Sequence, residues 1–288
     1  MSEILINKYF HYIKEERKFS KNTLDAYIRD IKQFKEYLEQ KEISSILDIN
    51  KTAIITYLLY LQNTGKANST ISRNLASLRC LYQYLLNNNY IKEDPTFNLK
   101  SSKTERKIPN VLSNKEIDLL LSQPNTNNMK GCRDKAMIEL MYATGLRVSQ
   151  MLELNIKDLD IKSNLLYLED GESSRVISIK ASEVANVYEY IRKYRTDSLE
   201  TEPLFINLYG DRLTRQGFWK ILKQYSKKSG IKKTITPHTL RHSFAMHKLD
   251  SGFDIRKLQK ILGHSDLSIT EIYLFNKRSR FILYISSI

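Results

Sequence analysis

The sequence predicts a mainly α-helical protein of two domains. Apolar residues recur at helical spacing along most of its 288 residues, which is the pattern of amphipathic helices that bury one face. A basic, apolar-poor stretch at 98–110 interrupts this pattern, as an interdomain linker does. Two short β-like runs, 165–168 and 175–179, predict one small antiparallel sheet. We therefore expect domains at 1–97 and 111–288, a division that the chain length allows.

The first domain is predicted to contain four helices. Each segment carries apolar residues at the helical period, and residues that favour helix N-termini, such as serine and asparagine, stand before several of them. Four helices of this size are enough for a small all-α domain. The predicted helices are 3–18, a segment from a Ser20 or Asn22 cap to about Glu39, Lys51 to Asn63, and a segment that a Ser69 cap opens.

The second domain is predicted to begin at a Ser-x-x-Glu capping box formed by Ser113 and Glu116. A helix at 133–143 follows, and Thr144-Gly145 breaks it, so that Arg147 opens the next helix. Backbone N–H groups at a helix N-terminus favour an anion, which makes Arg147 a candidate anion-binding residue. After the β-hairpin, whose turn is 169–172, further helices are expected at 182–194 and 214–229.

The segment 237–252 predicts a helix with an ionic face. Helical spacing places His238, Arg241 and His242 on the same side. Two histidines four residues apart also occur in zinc sites, but the glutamate that a zinc-protease helix has beside its first histidine is Thr239 here. We therefore expect no metal, and we expect His242 to pack beside the functional residues rather than act as one of them.

Tyr273 lies in a short helix beyond this segment. The preceding helix would end at Gly263, leaving His264 in a turn, and Ser268 with Glu271 forms another Ser-x-x-Glu box. A tyrosine held near histidines and arginines is a candidate nucleophile for a phosphate ester. Its ordinary pKa of about 10 means that the attack needs a base or strong electrostatic help.

The composition points to a polyanionic partner. Lysine and arginine number 46 against 32 acidic residues, which gives a formal net charge of +14, and the surplus is spread through the chain. Such a surplus is typical of proteins that bind nucleic acid. No apolar run reaches about 18 residues and no signal segment is present, so we expect a cytoplasmic protein without membrane contact. Cys80 and Cys132 fit neither a metal pair nor a disulfide framework.

Four motifs in a fixed order give the most specific signal in the chain. They are Ala-Thr-Gly-Leu-Arg-Val-Ser at 143–149, His-Thr-Leu-Arg-His at 238–242, Leu-Gly-His-Ser-Asp-Leu-Ser at 262–268, and Tyr273. This set resembles the signature of the tyrosine recombinases, the phage-integrase family, and of its Xer-like members in particular. The likeness covers nearly the whole chain, because the four-helix first domain is similar to the SAM-like core-binding domain of that family.

The resemblance implies DNA strand exchange through a covalent 3′-phosphotyrosine intermediate, without metal, ATP or another cofactor. By position, Arg147 and Arg241 would hold the non-bridging oxygens of the scissile phosphate. His238 and His264 would complete the pocket, and Tyr273 would attack phosphorus. Forked guanidinium groups suit these oxygens better than lysine does. The expected function is site-specific recombination of duplex DNA, as in integration or chromosome-dimer resolution.

The resemblance also implies that the two α-rich domains clamp duplex DNA, and that the protein works on DNA as a homo- or hetero-tetramer. A basic linker either follows a phosphate backbone or serves as a solvated hinge, and the sequence favours neither. The apolar segment 281–285 is expected to dock on a neighbouring protomer or to pack within its own domain. The candidate DNA-binding residues are Arg73 and Arg79 of the fourth helix and Lys103, Arg106 and Lys107 of the linker.

Two departures from the family pattern bear on catalysis. Asp170 stands in the β-hairpin where the family carries a lysine thought to protonate the leaving 5′ oxygen, and Gln150 replaces a glutamate of the Arg-x-Ser-Glu pattern. Loss of a general acid costs about 10²–10⁴-fold in rate. These residues leave a second hypothesis open, namely a DNA-binding structural or regulatory Xer-like protein with a weakened cleavage site.

Two further alternatives are less favoured by the sequence. Tyr284 is another tyrosine near the motif, but it stands 20 residues after His264, against 9 for Tyr273, and apolar residues surround it. A hydrolytic nuclease would need a carboxylate cluster for a two-metal site, and none is apparent in the sequence.

Overall fold

In a computed structural model, the described residues are 2–17, 19–100, 110–170, 173–196, 199, 201–264 and 266–274. The chain divides into two compact units, Met1–Arg106 and Lys107–Ile288. About 61% of the structure is helical and the sheet is small, which confirms the predicted mainly α class. Among the described residues, every helix is too short or too polar to cross a membrane.

In its described residues, the first unit contains four helices around one apolar core. They are α1 (Ser2–Glu15), α2 (Lys21–Gln40), α3 (Lys51–Asn63) and α4 (Asn68–Asn87). Ser20 caps α2 as expected, because its side chain accepts a hydrogen bond from the Thr23 amide at 3.3 Å. The predicted Ser69 cap is wrong. The cap residue of α4 is Ala67, which has no side-chain acceptor, so Ser69 lies inside the helix.

A buried polar cluster connects α2 to α4 inside the first unit. The Asp30 carboxylate, 2% exposed, accepts hydrogen bonds from Arg73 Nη1 at 2.5 Å, Asn74 Nδ2 at 3.2 Å and Ser77 Oγ at 2.7 Å. The hydroxyl of Tyr57 donates to Asn74 Oδ1 at 3.1 Å. A buried carboxylate is stable only when it is paired and hydrogen-bonded, so this cluster fixes how α2 and α4 pack.

The second unit packs eight helices and a three-stranded antiparallel sheet in the residues described. The sheet order is β1-β2-β3, and β1, which the sequence did not predict, is a two-residue strand. The helices are α5 (Asn114–Leu121), α6 (Met129–Thr144), α7 (Val148–Glu153), α8 (Ala185–Tyr194), α9 (Arg215–Ser229), α10 (Pro237–Asp250), α11 (Ile255–Leu262) and α12 (268–274). The strands are β1 (Leu159–Asp160), β2 (Leu165–Asp170) and β3 (Ser173–Ser178).

The helix α6 lies at the centre of this unit and packs against α8 and α10. Its apolar residues are buried on nearly every side, which is the pattern of a core helix rather than a surface one. The capping box at Ser113 and Glu116 opens α5 as predicted, with the Ser113 amide donating to Glu116 Oε2 at 2.7 Å. A separate apolar cluster joins α10, α11 and α12 and contains Phe244, Leu262 and Tyr273.

Gly145 ends α6 in a conformation that only glycine adopts easily. Its φ is +64°, and a Cβ there would overlap the Phe244 ring and lie 3.0 Å from Leu262 Cδ2. We expect Gly145→Ala to lower the free energy of unfolding of the second unit by about 2–4 kcal/mol, from left-handed strain plus overpacking. Urea unfolding checks this value.

Gly230→Ala is the matched control for this prediction. Gly230 ends α9 with a φ of +69°, but no atom lies within 4 Å of a Cβ built there. Only the backbone strain applies, so we expect a loss of about 1–2 kcal/mol. Equal losses in the two variants would contradict the role of the Phe244 contact.

Candidate active site

The predicted phosphate-binding residues lie close together at the turn that follows α11. Gly263 ends the helix with a φ of +62°. The Leu262 carbonyl accepts a hydrogen bond from Arg241 Nη2 at 2.6 Å, and the Gly263 carbonyl accepts one from Arg147 Nη2 at 2.9 Å. Two guanidinium groups from distant parts of the chain are therefore bound to consecutive carbonyls of one turn, and His264 is the next residue.

Arg241 is the more buried of the two arginines, with 4% of its surface exposed. Besides Leu262, it donates from Nη1 to the Gly145 carbonyl at 2.6 Å and from Nη2 to His264 Nε2 at 2.9 Å. A guanidinium group is planar and presents its N–H groups in a fixed fork. Acceptors from two loops therefore set the plane of the Arg241 fork and hold these loops together.

His264 is held as a neutral imidazole. Because arginine only donates hydrogen bonds, His264 Nε2 must accept from Arg241, which places the ring hydrogen on Nδ1. Nδ1 lies 2.8 Å from Thr270 Oγ1 and donates to it. Burial is the main cause that lowers the pKa of His264 to about 4, and the charges of Arg241, Arg147 and Arg175 lower it further. The ring is therefore uncharged near pH 7.

Tyr273 is buried, with 3% of its surface exposed, and its hydroxyl lies 2.7 Å from His242 Nδ1. Burial raises the pKa of Tyr273, and the Arg241 charge opposes this effect. Burial also lowers the pKa of His242 to about 4, so its neutral ring can accept the phenol hydrogen. In this arrangement the predicted nucleophile is a protonated phenol whose oxygen is fixed by a histidine.

His242 thus contacts the predicted nucleophile directly, whereas the sequence predicts only that it packs beside the functional residues. The i, i+4 spacing from His238 was the available signal, since it put both rings on the Arg241 side of α10. The two rings are stacked with centroids 6.2 Å apart. The pKa of His238 is lowered by burial first and then by the charges of Arg241, Arg215 and Arg147.

The helix that carries Tyr273 is capped differently from the expectation. Asp266 accepts the Ser268 amide at Oδ1, at 2.9 Å, and the Ser268 hydroxyl at Oδ2, at 2.8 Å. The Ser268 hydroxyl is bound to the aspartate, so the predicted Ser268–Glu271 box is replaced by an aspartate cap. Aspartate is as good a cap as serine, and its charge also suits a helix N-terminus.

Gln150 and Arg175 form an unpredicted contact beside Arg147. Gln150 Oε1 accepts from the Arg147 amide at 3.1 Å and from Arg175 Nη2 at 3.0 Å. The side-chain amide of Gln150 therefore takes the capping position of α7 that the family glutamate would occupy. Asp170 ends β2, where its backbone pairs with Ser173.

Two of the predicted DNA-binding residues, Arg73 and Arg79, make contacts within the first unit. Arg73 binds Asp30 through Nη1, and its side chain is 35% exposed. Arg79 is exposed on α4 and donates from Nη2 to the Leu99 carbonyl. Their DNA-binding role stays a prediction. Lys103, Arg106 and Lys107, together with the segment 281–285 and Tyr284, lie outside the described residues.

Comparisons with known proteins cover both units. The model of the phage integrase family matches residues 110–280, and that of the phage integrase N-terminal SAM-like domain matches residues 6–89. The tyrosine recombinase XerD of Oceanobacillus iheyensis is 40% identical over 287 residues, which cover 97% of this chain and 96% of the relative. XerD of Staphylococcus epidermidis is 38% identical over 280 residues, which cover 96% and 95%.

Solved structures share the fold at lower identity. The XerH site-specific recombinase bound to a palindromic difH substrate, in a post-cleavage complex, superposes with a TM-score of 0.78 at 21% identity. That match covers 98% of this chain and 84% of XerH. A lambda integrase dimer bound to a COC′ core site gives a TM-score of 0.75 at 19% identity, covering 94% and 76%. These likenesses show a common architecture.

Proposed function

The chain belongs to the phage integrase family, and we propose that it is a site-specific tyrosine recombinase that cuts and rejoins duplex DNA. The main observation behind this proposal is that Arg147 and Arg241 donate hydrogen bonds to the consecutive carbonyls of Gly263 and Leu262, next to His264. The net charge of +14 suits a DNA partner. The relatives with about 40% identity over nearly the whole chain are recombinases by name.

The reaction needs stabilisation of charge on a phosphodiester. When an oxygen attacks phosphorus, negative charge builds up on the non-bridging oxygens, and preorganised donors lower that barrier. Backbone carbonyls preset the forks of Arg147 and Arg241 for this task. His264, neutral and fixed by Thr270, adds a polar group to the same turn without adding a charge.

The covalent step links Tyr273 to the 3′ side of the cut. The Tyr273 oxygen forms a bond to phosphorus, the bond from phosphorus to the 5′ oxygen breaks, and that oxygen takes up a proton to leave as a hydroxyl. The phenol proton has an acceptor at hand, because His242 Nδ1 lies 2.7 Å from the hydroxyl. Rejoining is the reverse reaction, in which a 5′ hydroxyl attacks the phosphotyrosine.

A trapped-adduct experiment tests this function. Duplexes from a random-sequence pool, each nicked so that the cleaved fragment diffuses away, are incubated with the protein and a metal chelator. A recombinase yields a protein–DNA adduct that survives denaturation, and no metal is needed. Cleavage that the chelator abolishes, without any adduct, would indicate a hydrolytic nuclease instead.

The second hypothesis, a DNA-binding protein with a weakened cleavage site, is favoured by Asp170 and Gln150. It predicts that Asp170→Lys raises the rate of adduct formation by about 10²-fold or more, because the lysine supplies the missing general acid. Glu169→Lys is the matched control, since it makes the same charge change one residue away, on the opposite strand face. Rapid cleavage by the wild type that Asp170→Lys leaves unchanged would exclude this hypothesis.

The organisation on DNA completes the proposal. A core-binding domain at 1–97 and a catalytic domain at 111–288, joined by the basic linker 98–110, clamp the duplex in the cytoplasm, and tetramers assemble on the recombination site. Arg73, Arg79 and the linker residues Lys103, Arg106 and Lys107 contact the DNA backbone, and such contacts make binding fall steeply with added salt.

A further inference from the structure

Arg175 is a third arginine beside the candidate active site, and the function proposed above gives it no role. It lies in β3 opposite Leu168 of β2. Its strand position faces the core, because Ile177, two residues later, is buried, whereas Val176 between them is 55% exposed. An arginine at an inward position of a small sheet needs a specific reason, since a buried charge is costly.

The Arg175 guanidinium reaches two parts of the site at once. Nη2 donates to Gln150 Oε1 at 3.0 Å. Nη1 lies so close to Gly263 that a Cβ at this position would overlap it. The Nε and Nη1 atoms are buried. The fork therefore fills the space between the start of α7 and the turn after α11.

Both of these contacts also support Arg147. Gln150 Oε1, which binds Arg175, accepts the Arg147 backbone amide as well, at 3.1 Å. The Gly263 carbonyl accepts Arg147 Nη2 at 2.9 Å. Arg175 thus contacts the residue that holds the Arg147 backbone and the residue that holds the Arg147 side chain.

We propose that Arg175 is a positioning residue for DNA cleavage, which holds Arg147 and the 262–264 turn in their working geometry through Gln150 and Gly263. This inference rests on the recombinase function proposed above. The planar fork of arginine meets both neighbours at the same time, which the single ammonium group of lysine cannot do. Misplacement of a binding group by about 1 Å costs on the order of 10²-fold in rate.

The charge of Arg175 provides a second readout, separate from cleavage. The groups that face His264 are Arg241 and His242 of α10, Arg147, and Arg175 of β3, and each of them lowers the pKa of His264. Removing the Arg175 charge should therefore raise the His264 pKa from about 4 toward its ordinary range. A residue that does not approach His264 would leave this pKa unchanged even when its charge is removed.

The test compares Arg175→Lys, Arg175→Gln and Gln150→Ala. Single-turnover cleavage of a nicked duplex gives the rate, and histidine NMR titration of the DNA-free protein gives the His264 pKa. We expect all three variants to cleave about 10²-fold more slowly than the wild type. Arg175→Lys should keep the His264 pKa near 4, whereas Arg175→Gln should raise it. Arg192→Gln, at an exposed ion pair on α8, is the control and should change neither quantity.

A double-mutant cycle identifies the Gln150 contact. If Arg175 acts through Gln150, the Arg175→Gln/Gln150→Ala double variant should be no slower than either single variant. Multiplied rate losses, or rates within about threefold of the wild type in the single variants, would overturn the inference. If Arg175→Gln does not fold, Arg175→Lys and Gln150→Ala decide the question by the same rate criterion.

Failure of the recombinase function is distinguishable from failure of this inference. A wild-type protein that forms no adduct with any duplex would remove the recombinase proposal. In that case the His264 titration still tests whether Arg175 lies beside His264. An unchanged His264 pKa in Arg175→Gln would then overturn the proposed role of Arg175 as well. A wild type that cleaves, with Arg175 variants that cleave equally fast, would leave the recombinase function in place and remove only the role of Arg175.

Discussion

Replacing Tyr273 by phenylalanine is expected to abolish the covalent protein–DNA adduct and to leave DNA binding intact. The substitution removes only the phenol oxygen, and the ring keeps its place among Phe244, Leu262 and their neighbours. Loss of a nucleophile lowers the rate by at least about 10³-fold. The lost hydrogen bond to His242 costs about 0.5–1.5 kcal/mol of unfolding free energy, which the folded state should tolerate. Adduct formation on nicked duplex and a gel-shift assay measure the two effects.

Tyr142→Phe is the matched control for this variant. The Tyr142 hydroxyl also lies beside a histidine, with its oxygen 2.8 Å from His247 Nδ1. The same phenol oxygen is removed from a similar pair, in which the histidine partner is His247 rather than His242. We expect Tyr142→Phe to retain the adduct. An adduct that persists in Tyr273→Phe, or disappears in Tyr142→Phe, would show that the nucleophile is assigned wrongly.

Arg241→Lys should have the second largest effect, even though it keeps the charge. Arg241 binds the Gly145 and Leu262 carbonyls and His264 Nε2 with one planar group. An ammonium group cannot reproduce this fork, so the two loops lose their common anchor. We expect cleavage to fall by about 10²–10³-fold. The unpaired carbonyls should lower the free energy of unfolding by about 1–3 kcal/mol.

Arg133→Lys separates the catalytic effect from the loss of stability. Arg133 is also buried, with 3% of its surface exposed. Its fork binds Asp134 and the Ile206 carbonyl, and these hydrogen bonds involve none of the predicted catalytic residues. At a temperature where both variants are folded, only Arg241→Lys should cleave slowly. Equal rate losses in the two variants would mean that Arg241 acts through stability alone.

Local rules account for what the sequence predicted well. Ser113 with Glu116 and Gly145 each end or begin a helix through contacts within a few residues, and such contacts can be recognised from sequence. Gly263 is a similar case, because its φ of +62° suits glycine at a helix end. The family motif then led to Arg147 and Arg241, which the structure brings to the same turn.

The features that could not be predicted from the sequence are contacts between segments that are distant in the chain. The bond between His242 and Tyr273 joins residues 31 apart, and that between Gln150 and Arg175 joins residues 25 apart. Neither separation follows from helix or strand periodicity. For Arg175 the available signal was its inward strand position, where alternation predicts an apolar residue. The residue type of Ser69 predicts a cap, but the chain already becomes helical after Ala67.

The point of attachment of the DNA tests the central claim, that Arg147, Arg241 and His264 bind the one phosphate that Tyr273 attacks. The trapped adduct is digested with nuclease and protease, and mass spectrometry locates the residual nucleotide. We expect a single modified peptide that carries its nucleotide on Tyr273. Attachment to another side chain, such as Tyr284, or an adduct without any modified tyrosine, would contradict it.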